Sequence, residues 1–399
     1  MRFGEAMLAL GYQNTHSGNM SVRVGDEMVI TKTGAMKGHL RESDLCRAKL
    51  DHPEAGLFQA SSEVAKHLRV LRFAGALIHA HPFSPILLSY LTDMIDPLDA
   101  FGKRYLLKVP VLPFEFPDGY KEMEREIPRV LLDKPALVVK THGPFVRGRT
   151  LNEAFFCLGV LVHSCAIIYD CLRLGIDRVR LPLVEYPALA AYDSQPEESN
   201  TADPALAGQL ERCATDCFYL RLSPFHTGSL SVENGREMFY SPALAAPSGF
   251  PHSILRLEVA AEDEDYFASL HRAVFRYSSA KAALFTLSPE AMALALAALA
   301  RGEDRIIPAD AEGGILFPVI PVVTPAESFR AIAEKAERYK MVAIAGLGLL
   351  AVGPTPGHTI HHNSSARHIC HILLQLHILH SLGCLPDAAF HLYPEDKSV

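Results

Sequence analysis

The stretch LIHAHP, residues 77–82, sets two histidines two positions apart in an apolar run that stops at a proline. On a β-strand, residues i and i+2 project from the same face. His79 and His81 would then stand side by side, with Ala80 turned away, and paired imidazoles at that spacing suit a shared metal ion. Spacing alone does not decide the matter, because 19 histidines are scattered over the 399 residues.

The chain carries its own control, for it is written twice. HSGNMSVRVGDEM (16–28) lies over HTGSLSVENGREM (226–238) with seven of thirteen positions identical. HLRVLRFAGALIHAHP lies over AVFRYSSAKAALFTLSP, and KPALVVKTHGPFVRG over YKMVAIAGLGLLAVG. The reading is a tandem duplication: a first domain over 1–190, a polar, acidic, proline-punctuated linker over 191–205, and a second domain over 206–399.

The copies agree on apolar scaffold and disagree on polar groups. In this alignment His79 and His81 fall opposite Thr286 and Ser288, and His142 of KTHGPF opposite Leu347. Glu63 of SSEV falls opposite Leu270 or its neighbour, and Asn19 opposite Ser229. Histidines that merely stabilised the fold would be needed in both copies. Their joint loss from one copy marks His79, His81 and His142 as a unit, and three neutral imidazoles with an open fourth position are the ligand set of a catalytic zinc. Glu63 opens a helix and is the candidate general acid/base beside the metal, the alternative being an acid placed there to complement the helix dipole. Ser61 and Ser62 are candidate helix caps; Ser269 is their counterpart in copy two. Backbone N–H groups of the SGN and TKTG loops, with Ser and Thr hydroxyls, would make a nest for a phosphate or carboxylate.

Within each copy, strand and helix patterns interleave, as expected of an α/β domain. EMVITKTG, GALIHAHP and LLKVPVLPF read as strands, and ALVVKTHGPFVRG as a strand pair about a turn. SSEVAKHLRVLRFA, DGYKEMEREIPRVLL and TLNEAFFCLGVLVHSCAIIYDCLRLG read as helices. Pro110, Pro113 and Pro117 point to edge strands and loops. A net charge of −7 without a basic stripe argues against nucleic acid. Eight cysteines without a CxxC pair read as reduced thiols. The N-terminus is too short and too charged for a signal sequence, and the apolar runs AMALALAALA and MVAIAGLGLLAVG fall short of a membrane span. The expectation is a cytoplasmic protein with a small-molecule substrate.

SGNMS, ITKTG, SSE, HAHP and THG, in that order, resemble the class II aldolase/adducin family over nearly all of copy one and, degenerately, over copy two. The resemblance implies a three-layer α/β/α fold with a mostly antiparallel central sheet. It implies His79, His81 and His142 as ligands of one Zn2+ per chain, cobalt, nickel or copper being alternatives. By the same resemblance Glu63 is the acid/base, while Gly18, Asn19, Thr33, Gly34, Ser61 and Ser62 hold the substrate's phosphate. The implied activity is zinc-dependent retro-aldol cleavage of a C–C bond in a small phosphorylated sugar or related hydroxy-carbonyl compound, through a stabilised enediolate. Decarboxylase, epimerase or dehydratase chemistry on the same zinc is the alternative, and a non-catalytic adducin-like scaffold a further one. The family's fourfold rings imply a homodimer in which active and inert copies alternate about a pseudo-fourfold axis. Only MRFGEAMLALGYQ precedes the first motif, a shorter opening helix than the family's usual one. Asp93, Asp96, Asp99 and Tyr105 are candidates for reaction-specific groups, with a solvated loop the alternative reading of each. Seven histidines over GHTIHHNSSARHICHILLQLHILH raise the alternative of a second metal site beside a half-buried terminal helix.

Overall fold

The computed structural model describes residues 1–52, 60–113, 119–176, 181, 184–190, 192, 203–224, 226–244, 253–262 and 265–385. Copy one forms a sheet of β1 (Asn19–Val24), β2 (Glu27–Thr31), β3 (Leu45–Lys49), β4 (Ala76–His79), β5 (Met94–Ile95), β6 (Val109–Leu112), β7 (Ala136–Val139) and β8 (Gly143–Gly148). Its spatial order is β3-β2-β1-β4-β8-β7-β6-β5. Copy two supplies β9 (Ser229–Asn234), β10 (Glu237–Ser241), β11 (Leu255–Glu258), β12 (Ala282–Thr286), β13 (Arg305–Ile306), β14 (Ile320–Val323), β15 (Met341–Ile344) and β16 (Gly348–Gly353). Their order, β11-β10-β9-β12-β16-β15-β14-β13, repeats the first strand for strand. Every neighbouring pair is antiparallel except β6–β7 and β14–β15. This is the mixed α/β architecture expected, present twice.

Contacts divide the chain into Met1–Cys165 with Ala191–Gln195, and Ala166–Ala190 with Pro196–Val399. The division falls inside the helix Leu151–Arg173. Most of the stretch expected to be the linker, 191–205, lies outside the described residues. The opening helix of copy one, Arg2–Ala9, has 8 residues against 16 for its counterpart Pro204–Tyr219.

Central strands are buried on both faces, as a sheet covered by helices on each side requires. Ala76, Leu77 and Ile78 of β4 and Leu137 and Val138 of β7 are all closed to solvent. Helix Gly119–Asp133 places Met123, Ile127 and Leu131 at i, i+4 and i+8, one stripe that packs on Val70, Leu77, Leu137 and Phe145. β6 carries Pro110 second from the sheet edge rather than at it. Only the two-residue β5 lies outside it, opposing Met94 to Pro110, so the missing N–H costs one short pairing. Pro113 follows the strand, and Pro117 lies outside the described residues. Helix Leu151–Arg173 is longer than the runs weighed from the sequence: by length and composition it is apolar enough to cross a membrane, and 72% of that window is buried within the fold.

A buried histidine is common to both copies. His67 donates through Nε2 to Asn19 Oδ1, and its Nδ1 meets the Ser21 hydroxyl at 2.6 Å. His271 sits between Ser229 (2.8 Å) and Ser231 (2.6 Å) in the same way. Both rings are fully buried. Burial lowers His67 to about 4, against the pull of Glu63, and lowers His271 to about 3. The unfolded chain binds these protons near pH 6.5 and the native state does not. Their contribution is therefore complete above about pH 6.5 and declines as pH falls from there toward 4 and then 3. We expect on the order of a few kcal/mol to be lost between neutrality and pH 4.5. Urea midpoints that stay level over that range would contradict this.

Candidate metal centre and substrate cleft

His79 ends β4, and its Nδ1–H donates to the Pro144 carbonyl at 2.9 Å. That bond fixes the tautomer and leaves the Nε2 lone pair free for a ligand. His81 lies beyond the strand end, anchored by its backbone N–H on the Tyr12 carbonyl at 3.1 Å. His142 sits in the turn from β7 to β8, its N–H on the Val139 carbonyl at 3.0 Å. The THG motif has a steric reason. Thr141 is left-handed (φ 63°), Gly143 has φ 134°, and a Cβ on Gly143 would stand 2.3 Å from the Ala80 carbonyl oxygen. Only glycine lets this turn press against the residue between the two histidines.

The three imidazoles converge, with one ligand nitrogen from each within 4.8 Å of the others. His79 Nε2 and His81 Nε2 are 3.0 Å apart, and the rings of His79 and His142 stack at 4.6 Å. Burial, reinforced by the neighbouring imidazoles and opposed by Glu63, lowers His79 to about 3 and His81 to about 4. Both are therefore neutral at pH 7, the form that ligates a metal. With its Nδ1–H on Pro144, His79 presents its Nε2 lone pair within hydrogen-bond distance of His81 Nε2, and a divalent cation bound there would take these ligand nitrogens instead. The donor set fits zinc with an open position.

Glu63 stands beside them. Its Oε2 is 3.5 Å from His79 Nε2 and its Oε1 3.4 Å from His142 Nε2. Asn19 Nδ2 donates to Oε2 at 3.1 Å, and the Lys66 ammonium to Oε1 at 2.9 Å. Burial alone would raise this carboxyl. The His79 and His142 rings and Lys66 outweigh it and hold Glu63 well below the usual carboxylate range.

The phosphate-loop candidates line the same cleft of about 210 Å³ with the histidines and Glu63. Gly18 is required there, since a Cβ would meet the His79 carbonyl oxygen at 2.6 Å. Thr33 Oγ1 donates to the Ala60 carbonyl (2.9 Å), and Ser61 Oγ accepts from the Glu63 N–H (3.3 Å). Gly34, with φ 73°, and Ser62 complete the rim. Asn19 reaches the cleft with its amide already committed to Glu63 and His67. His16, Lys32 and Lys37 also line it, unassigned from sequence. Asp93, Asp96, Asp99 and Tyr105 do not. Asp99 caps the helix Ala100–Tyr105 through the Gly102 N–H at 2.8 Å, and Tyr105 packs edge-on against Phe156. The seven C-terminal histidines lie on helix Pro356–Ser381, where no three metal-ligating groups converge among the described residues.

Strand register corrects the alignment of the copies. Asn19 pairs with His79 across β1–β4, and its counterpart Ser229 pairs with Phe285 across β9–β12. His81 bonds Tyr12 as Leu287 bonds Leu222. His79 and His81 therefore correspond to Phe285 and Leu287, not to Thr286 and Ser288. His142 corresponds to Leu347, as expected. The prolines misled the alignment: Pro82 is the N-cap of helix Phe83–Ser89, whereas Pro289 is the first residue of a helix capped by Ser288. The shared His67 and His271 likewise match Glu63 to Phe267 rather than Leu270, and Lys66 to Leu270. Ser269 lies inside its helix, which Asp265 caps. Copy two thus replaces every reactive group by an apolar one: Phe267 packs on Phe285 at 4.8 Å, and Leu287 and Leu347 are buried.

The duplicated mixed sheet carries, in one of its two like domains, three converging imidazoles that could hold a metal ion, with a buried carboxylate beside them. The chain matches the family described as Class II Aldolase and Adducin N-terminal domain over residues 1–169 and 264–374, and it belongs to that family. It is 30% identical over 153 residues to the L-fuculose phosphate aldolase of Methanocaldococcus jannaschii, covering 38% of this chain and 82% of that protein. It is 26% identical over 177 residues to the 3-oxo-tetronate 4-phosphate decarboxylase of Escherichia coli, covering 42% and 83%. The L-fuculose-1-phosphate aldolase of Thermus thermophilus is similar at 33% identity and TM-score 0.41, over 44% of this chain and 94% of that structure.

Proposed function

We propose that copy one is a zinc-dependent carbon–carbon lyase that cleaves a small phosphorylated hydroxy-carbonyl compound by a retro-aldol reaction. The observation that supports it best is the placement of an ionised, buried carboxylate within 3.5 Å of the ligand nitrogens of two of the three converging imidazoles. A divalent ion held by His79, His81 and His142 supplies Lewis-acid stabilisation of negative charge on substrate oxygens. Glu63, ionised at rest, is the group that moves the proton. In cleavage it takes the proton that the substrate hydroxyl loses as the C–C bond breaks and delivers it to the carbon beside the carbonyl, and in the aldol direction it accepts a proton from that carbon and returns it to the new hydroxyl. Asn19 and Lys66 hold the carboxylate in place, and the glycine loops receive the anionic end of the substrate.

The relative named a 3-oxo-tetronate 4-phosphate decarboxylase supports a second reading, in which carbon dioxide leaves in place of an aldehyde. Purified protein assayed against phosphorylated ketoses and phosphorylated 3-oxo acids, with and without chelator, separates the two. Turnover that survives complete chelation would end both. The tandem repeat further leads us to propose a homodimer, in which two chains assemble four like domains in a closed ring. Sedimentation at micromolar concentration is expected to give twice the chain mass, and a stable monomer would overturn the ring.

A further inference from the structure

Lys37 is 1% exposed and lines the cleft. Its ammonium donates to the Ala35 carbonyl at 2.8 Å and the His16 carbonyl at 3.2 Å, tying together the two loops that carry the anion-binding glycines. An ammonium has three N–H donors, and these two carbonyls use two of them. Among the described residues no carboxylate lies within ion-pair distance of it. Lys32, half-buried, also lines the cleft without such a partner. Glu63 is the one carboxylate in the lining, and Lys66 engages it. A buried charge without a counter-ion is costly, and burial draws Lys37 below its usual range despite the field of Asp44. The cleft therefore holds two lysine side chains with no carboxylate at ion-pair distance among the described residues, and an entering anion would balance them. Copy two, which lost the reactive set, has Pro242 at the place of Lys32 in its SPAL segment.

We propose that Lys37, with Lys32, is the charge complement of a phosphoryl dianion on the substrate, and that Lys37 sets a preference for a phosphoryl over a carboxylate terminus. This rests on the reading of copy one as an enzyme for a phosphorylated compound, but its test does not require turnover. Inorganic phosphate and acetate are titrated calorimetrically into the full, metal-loaded chain. The wild type is expected to bind phosphate more tightly than acetate. Lys37→Met should weaken phosphate by about 10- to 100-fold, the worth of one charge-assisted hydrogen bond, with metal content unchanged and acetate little affected. Because Lys37 also ties two loops, Lys32→Met, which leaves that tie intact, is the second variant and should weaken phosphate by about tenfold. Equal phosphate affinity in wild type and Lys32→Met, or in wild type and a folded Lys37→Met, would overturn the proposal. So would a wild type that binds acetate as tightly as phosphate. If phosphate behaves as expected while no phosphorylated ketose or oxo acid is turned over, the charge pair stands and the lyase reading falls.

Discussion

Glu63→Gln is expected to lower turnover by about 10²- to 10⁴-fold, the usual worth of a positioned acid/base, while His79, His81 and His142 still hold their metal. Glutamine keeps the shape and can still meet Asn19, but it cannot take a proton. The structure adds a cost that the residue pattern did not disclose. Lys66 is 2% exposed and faces Glu63 at 2.9 Å, so the variant leaves a buried ammonium without its counter-charge. Breaking such a pair costs about 3–5 kcal/mol, whereas replacing both partners by apolar groups is often neutral. Copy two contains that replacement, with Phe267 and Leu270 at the two positions. Glu63→Gln with Lys66→Met is therefore expected to recover much of the stability and none of the activity. Turnover is to be measured per metal-loaded, folded chain. Near-full activity in either variant would show that another group moves the proton.

His81→Ala is expected to take bound metal from about one ion per chain to a small fraction of that and to bring activity to background. Two imidazoles hold a divalent ion far less well than three, and His79 and His142 then keep the wrong geometry for a four-coordinate site. His81 is partly exposed and its backbone anchor on Tyr12 survives the substitution, so the fold should change little. Metal analysis after gel filtration reads the result directly. A chain that holds two ions tightly would show a second site and would contradict the view that copy two, with Phe285, Leu287 and Leu347 in the ligand positions, is inert. A His81→Ala chain that keeps one full equivalent would remove His81 from the ligand set.

The residue string by itself determined the duplication, the α/β class and the grouping of His79, His81, His142 and Glu63. Those conclusions need only short-range periodicity and the comparison of like segments, and both are written in linear order. It did not determine the register. A one-residue slip in a strand turns every side chain to the other face, and LFTLSP against LIHAHP offers a proline to align on that belongs to different helix positions in the two copies. The slip at Glu63 has a similar cause, because apolar positions recur every three or four residues along a helix and a shift of one turn leaves the pattern intact. Lys37, Lys66 and His67 were not legible as site residues. A charged or polar side chain reads as solvated until the fold shows what lies over it, and each of these is buried in the folded chain. The partners that give them meaning, the His16 carbonyl for Lys37 and Asn19 for His67, are long-range contacts that exist only once β1, β2 and the helix Val64–Val70 have packed.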